Sequence, residues 1–110
     1  TSSSDAKIER AIQLGAKGGA NYKNSDWHKD LPRSFDVILD GAGGEGFGIL
    51  VRKIGMGGRI VFYGGTSGAW PSILPQHLFF KQARIIGSTM GSVSEFHALM
   101  EFVSKNKITS

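Results

Sequence analysis

Phe35-Asp36-Val37-Ile38-Leu39-Asp40 is a nearly continuous apolar run that stops at a cluster of glycines beginning with Gly41. A run this short and this apolar reads as a strand covered on both faces, because a strand with one wet face would alternate apolar and polar residues. Strands of that kind belong to parallel sheets, and a parallel neighbour is reached only through a crossover, usually a helix. The following residues supply one. Phe47 to Ile54 reads as a helix, Gly57-Gly58 as a turn, and Arg59-Ile60-Val61-Phe62-Tyr63 as a second buried strand. Leu74 to Lys81 looks helical after Pro71 and Pro75, Ala83 to Gly87 forms a third strand, and Val93 to Lys105 is a long helix with Ser92 or Ser94 near its cap.

The same alternation runs upstream. Ile8, Ala11, Ile12 and Leu14 fall toward one side of a helix whose Lys7, Glu9, Arg10 and Gln13 face water, and Gly15 stops it. Ala20-Asn21-Tyr22 reads as a short strand and Ser25 to Leu31 as a short helix that must end before Pro32. Strands and helices in alternation imply right-handed crossovers, hence an α/β fold with a doubly wound, Rossmann-like parallel sheet over residues 1–110.

Composition removes several classes of function. The 16 glycines among 110 residues are about twice the average usage of roughly 7%. They gather between the elements and follow no repeat. The net charge of +4 is scattered along the chain without a dense basic stripe, so nucleic acid is not indicated. There are no cysteines, which excludes disulfides and thiolate zinc sites within these residues. No apolar run approaches the roughly 20 residues that span a bilayer, so no membrane role is expected, and a cytoplasmic enzyme or part of one fits the composition.

Three segments can carry chemistry. In Thr1-Ser2-Ser3-Ser4-Asp5-Ala6-Lys7, Ser4 suits a helix N-cap and Asp5 the positive end of the helix. The tract also reads as the exit of a strand, the place where a dinucleotide-binding domain distinguishes the 2′-hydroxyl of NAD from the 2′-phosphate of NADP. Lys7 and Arg10 offer cations there, and three serines offer hydroxyls. Gly41-Ala42-Gly43-Gly44-Glu45-Gly46 matches G-x-G-x-x-G literally after a strand and before a helix. The fingerprint needs an acid about 20 residues later, and no Asp or Glu occurs between Glu45 and Glu95. A glycine-rich strand-to-helix turn is therefore favoured over a pyrophosphate cradle. Gly64-Gly65-Thr66-Ser67-Gly68 follows the second strand, at the end of an open sheet where ligands bind, and reads either as a surface turn or as a close approach to a ring. Asp40 shares that end of the sheet, whereas His28, His77 and His97 share no ligand spacing.

In order and spacing, Thr1 to Lys7, Leu14-Gly15-Ala16, Ala20-Asn21-Tyr22, Phe35 to Asp40, Gly58-Arg59-Ile60-Val61, Gly64 to Gly68 and Gly87-Ser88-Thr89-Met90-Gly91 resemble the cofactor domain of the medium-chain dehydrogenase/reductase superfamily, particularly its quinone oxidoreductase and zinc-type alcohol dehydrogenase-like branch. The resemblance implies an incomplete cofactor domain that lacks its first strand-loop-helix unit, with the substrate domain also absent. It implies hydride transfer between NADP, or less readily NAD, and a quinone, enone, carbonyl or alcohol. Zinc in the parent enzyme is left open, and the chain alone is expected to show no turnover and weak cofactor binding. By position, the resemblance assigns Ser2, Ser3, Ser4 and Lys7 to the adenosine phosphate, with Tyr22 packed near it. Gly41 and Ala42 fall beside the adenosine ribose, and Gly64, Gly65, Thr66 and Ser67 beside the nicotinamide, with Tyr63 also counted among the cofactor-binding residues. It also implies a homodimer through the Ala83 to Gly87 edge strand. A different class of reading, a non-catalytic nucleotide-binding or regulatory module, would use Gly41 to Gly46 as its own phosphate loop.

Overall fold

The computed structural model describes residues 1–109. Three strands, β1 (Phe35–Asp40), β2 (Ile54–Phe62) and β3 (Arg84–Gly87), form one parallel sheet in the order β1-β2-β3. The helices are α1 (Asp5–Gln13), α2 (Gly46–Lys53), α3 (Gln76–Phe79) and α4 (Val93–Lys105). The fold is the expected α/β, Rossmann-like unit, with α2 crossing from β1 to β2 and α3 from β2 to β3.

Register explains the core. Ile38, Ile60 and Ile85 are neighbours across the three strands, so branched side chains form one row on one face of the sheet. Phe47 and Val51 of α2 close over that row together with Ile54, and Phe47, Val51 and Ile60 are fully buried. On β1 only Ile38 and Asp40 are buried, whereas Val37 and Leu39 are 45% and 71% exposed. This corrects the expectation of a strand covered on both faces. Side chains alternate, and no element of the described residues buries the face that carries Val37 and Leu39.

Other expectations shift at their boundaries. The Ser25 to Leu31 helix is only a 3-10 turn, Trp27–Asp30, too short to offset the cost of α-helix nucleation before Pro32. The Ala20 to Tyr22 strand reduces to one parallel bridge between Ser2 and Asn21. Helix α2 begins at Gly46 and stops at Lys53, because Ile54 is already extended and buried opposite Phe35. β2 therefore starts at Ile54 rather than Arg59, and the Gly57-Gly58 turn survives as a shift of register inside it. Tyr63 lies just outside β2. Helix α3 keeps only Gln76–Phe79 of the Leu74 to Lys81 expectation, since Pro75 occupies its N-cap and Gln82 turns to a positive φ of 50°. β3 loses Ala83, whose amide donates to the Leu78 carbonyl to close the turn after α3.

Lys53, the last residue of α2, donates through Nζ to the carbonyls of Leu31 and Pro32 in the turn before β1. Lys81 finishes α2 from outside, its Nζ donating to the carbonyls of Arg52 and Ile54 at 2.8 Å each. Positive charge on the last carbonyls of a helix satisfies both its free acceptors and its dipole.

Glycine stops α1 as expected. Gly15 (φ +109°) donates to Ile12 O and Ala16 to Ala11 O, a Schellman pair that needs the left-handed conformation which glycine adopts without strain. At the other end Ser4 holds the N-cap position but makes no side-chain cap, and its own amide donates to Ser2 Oγ. The cap of α4 is complete by contrast. Ser92 Oγ accepts from the Glu95 amide, and Glu95 Oε2 accepts from the Ser92 amide at 2.7 Å. These bonds from Ser92 hold the Glu95 carboxyl below its ordinary value. A depressed acid stabilises the folded form above its unfolded value, and that help is lost as pH falls through the lowered folded value. Replacing Ser92 by alanine is expected to cost about 1 kcal/mol of α4 stability. Faster amide exchange in the first turn of α4 checks this, and the fraying of that turn on acidification should weaken in the variant.

Candidate functional site

The ladder between β1 and β2 does not stop where the strands stop. Tyr63 N donates to Asp40 O at 3.0 Å, Ser67 N to Ala42 O at 2.8 Å, and Gly44 N to Gly68 O at 3.0 Å. The two glycine-rich loops at the carboxyl ends of the strands are thus tied side by side. Close approach explains their composition. Gly44 has φ +66°, and a Cβ there would lie 2.7 Å from both Cβ and O of Ser67.

Asp40 organises the first loop. It is 8% exposed, its Oδ1 accepts from Ala42 N at 3.3 Å, and its Oδ2 accepts from Gly43 N at 2.9 Å. Trp70, on the segment that follows the second loop, stacks flat on Phe47 at 3.8 Å and meets Phe62 edge-on at 4.8 Å. The loops are therefore anchored to the core on one side and to each other on the other.

Two cavities border this unit. The larger, about 770 Å³, is lined by Thr1, Tyr22, Asp40, Ala42, Thr66 and Ser67 among others. The smaller, about 490 Å³, is lined by Phe62 to Gly65, Trp70 and the Gly87 to Thr89 turn. The site residues expected from sequence therefore divide. Tyr22, Ala42, Thr66 and Ser67 meet at the first cavity, while Tyr63, Gly64 and Gly65 meet at the second. Gly41 lies against the Tyr63 ring, between the two sets.

Ser2, Ser3, Ser4 and Lys7 line neither cavity. They adjoin it through Thr1, because Ser2 N donates to Ala20 O and Tyr22 N donates to Ser2 O, which holds the opening tract beside Tyr22. The three serines are half-buried, and Lys7 is exposed on the first turn of α1. Asp5 is engaged elsewhere: its Oδ1 accepts from Asn21 Nδ2 at 2.8 Å.

Sequence reasoning missed part of the first cavity. Glu45 at the N-cap of α2 and Ile49 and Arg52 on the helix line it, and Trp27 and His77 close other parts of the wall. Positions 45, 49 and 52 share one helix face, so that spacing was a usable signal for the first three. For Trp27 and His77 no local pattern existed, because distant turns bring them there.

A zinc site would need converging His, Cys, Asp or Glu side chains. Among the described residues no three of these come together, so no zinc ligand set is formed by them. A nucleotide fits better. The first cavity has the size of a ligand pocket, with glycine backbone, hydroxyls and the rings of Tyr22 and Trp27 in its lining.

Comparison with known proteins bears on this geometry. Residues 1–105 match the family described as zinc-binding dehydrogenase. The chain is 37% identical over 120 residues to the zinc-type alcohol dehydrogenase-like protein YogA of Leptosphaeria maculans, covering 98% of this chain and 32% of that protein. An NAD-dependent alcohol dehydrogenase of known structure superposes with a TM-score of 0.81 at 33% identity, covering 96% of this chain and 32% of that one. A crotonyl-CoA carboxylase/reductase in complex with NADP shares the fold, with a TM-score of 0.76 at 21% identity over 96% of this chain and 33% of that one. The chain thus spans about a third of the length of these relatives.

Proposed function

We propose that this chain, which belongs to the zinc-binding dehydrogenase family, forms part of the NAD(P)-binding domain of an oxidoreductase that moves hydride between a nicotinamide and a quinone, enone, carbonyl or alcohol. The observation that carries this reading is the place of the larger cavity. It opens at the carboxyl ends of β1 and β2, where open parallel sheets take their ligands. Ala42 and Gly41 face the adenosine ribose in this reading, with Tyr22 against the adenosine phosphate. Tyr63, Gly64, Gly65, Thr66 and Ser67 border the nicotinamide. When bound, the nicotinamide supplies or accepts the hydride, and the protein contributes binding and orientation. The outer side of β3 is the sheet edge at which a second copy would pair.

NADP is the cofactor favoured. Asp5, the acid nearest this end, lies beyond the three serines at the start of α1, where it complements the helix dipole and accepts from Asn21 through Oδ1. Lys7 is exposed beside Ser2, Ser3 and Ser4, a set of donors suited to a phosphate. The relatives include both an NAD-dependent enzyme and an NADP complex, so their names do not decide between the two.

The phosphate-loop alternative loses ground on geometry. The amides of Ala42 and Gly43 already donate to the Asp40 carboxylate, and that of Gly44 to Gly68 O. A second anion placed there would meet a carboxylate and find these three amides already engaged.

Titration with NADPH and NADH, read by nicotinamide fluorescence, tests the proposal. Lys7→Ala is expected to weaken NADPH about tenfold, or about 1.4 kcal/mol, and to leave NADH unchanged. Equal losses for both cofactors, or none, would remove the NADP assignment. Absence of binding confined to the Gly41 to Ser67 region would remove the site itself.

A further inference from the structure

We propose that Asp40 is a positioning residue that sets both cavities at once; the proposal deepens the cofactor reading and rests on it for its ligand. Three observations carry it. The carboxylate is buried, has no ion-pair partner among the described residues, and spends both oxygens on the amides of Ala42 and Gly43. Those amides belong to the loop whose Ala42 carbonyl accepts from Ser67 N and whose Gly44 amide donates to Gly68 O. Ser67 lines the first cavity, and Gly64 and Gly65, in the same second loop, line the other.

The consequence is mechanical. Fixing residues 41–44 through the carboxylate also fixes residues 64–68, because the two loops share their hydrogen bonds and close contact at Gly44 and Ser67 leaves no slack. Asparagine at position 40 has the same shape but presents an NH₂ group where one amide must donate, so one of the two bonds becomes a donor facing a donor. Alanine removes both acceptors. Occupation of the first cavity by an adenosine phosphate is then transmitted to the second only while Asp40 holds the pair of loops together.

The experiment uses the ¹⁵N-labelled chain and 2′,5′-ADP. Without ligand, Asp40→Asn is expected to speed hydrogen exchange at Ser67 and Gly44 at least tenfold relative to Ser88, whose amide donates to Phe62 O on the far side of β2. Asp40→Ala should exceed Asp40→Asn. With 2′,5′-ADP, the amides of Gly64 and Gly65 are expected to shift in the unaltered chain and to stay in place in Asp40→Asn at saturating ligand. Exchange that rises equally at Ser67, Gly44 and Ser88 means general destabilisation and overturns the proposal, as does exchange unchanged at all three. If 2′,5′-ADP fails to bind the unaltered chain, the cofactor reading falls, while the exchange pattern still decides the role of Asp40.

Discussion

Replacing Phe47 by alanine is expected to remove most of the chain's folding stability at 25 °C. Phe47 is fully buried, lies in the small cluster formed with Ile38, Val51, Ile54 and Ile60, and carries the stacked indole of Trp70. Truncating a buried phenylalanine costs about 3–5 kcal/mol, from lost transfer free energy plus the cavity left behind. Natural domains have only about 5–15 kcal/mol in total, and a core of five buried side chains gives little reason to expect the upper end. Two more contacts go with the ring, since Phe62 meets it edge-on and Trp70 would lose its platform. Urea unfolding followed by circular dichroism gives the loss directly. A change below about 1 kcal/mol would mean that the ring is not held between the sheet and Trp70 as described, because even conservative core trimming costs that much.

The contrast within this core explains what the sequence made legible. Ile38, Ile60 and the α2 helix were readable because apolar runs and a helical period report local burial, and parallel register then follows from the crossover. The exposed face of Val37 and Leu39 was not readable. A six-residue apolar run looks the same whether one face or two are covered, and the difference lies in what else packs on the sheet. Glycine turns misled in a similar way at β2. Gly57 and Gly58 do break the strand pattern, but Ile54 reaches across to Phe35 before the break, so the strand begins earlier than its β-branched run.

The site divides on the same principle. Gly64 to Ser67 and Ala42 were found because they follow strands, and strand ends are where such sheets bind ligands. Asp40 was recognisable only as a candidate, since a carboxylate after an apolar run serves equally as a ligand-binding group or as the anchor of a turn. Its bonds to Ala42 N and Gly43 N give it the second of these roles. Trp27 and His77 entered the cavity wall through tertiary proximity.

Gly44 supplies the sharpest test of how the loops are joined. Within Gly41 to Gly46, which matches a phosphate-binding pattern letter by letter, the glycines are required for different reasons. An added Cβ at Gly46 meets nothing within 4 Å, and one at Gly41 meets the exposed ring of Tyr63, which can swing away. One at Gly44 meets the backbone carbonyl and Cβ of Ser67 at 2.7 Å, on a residue whose φ of +66° disfavours any side chain. Gly44→Ala is therefore expected to cost about 1–2 kcal/mol for the left-handed backbone and about 1–3 kcal/mol for the forced contact. Gly46→Ala, at the first residue of α2, is expected to be neutral or to stabilise by up to about 1 kcal/mol. For a chain near this size each kcal/mol moves the melting temperature by about 4–8 °C, so thermal unfolding separates the two variants by about 8 °C or more. A phosphate cradle would give the opposite ranking in ligand binding, with Gly46→Ala harmful because the cradle needs its third glycine. Equal melting temperatures for the two variants would show that the loops at the ends of β1 and β2 are not in contact, and the shared framework of the two cavities would go with them.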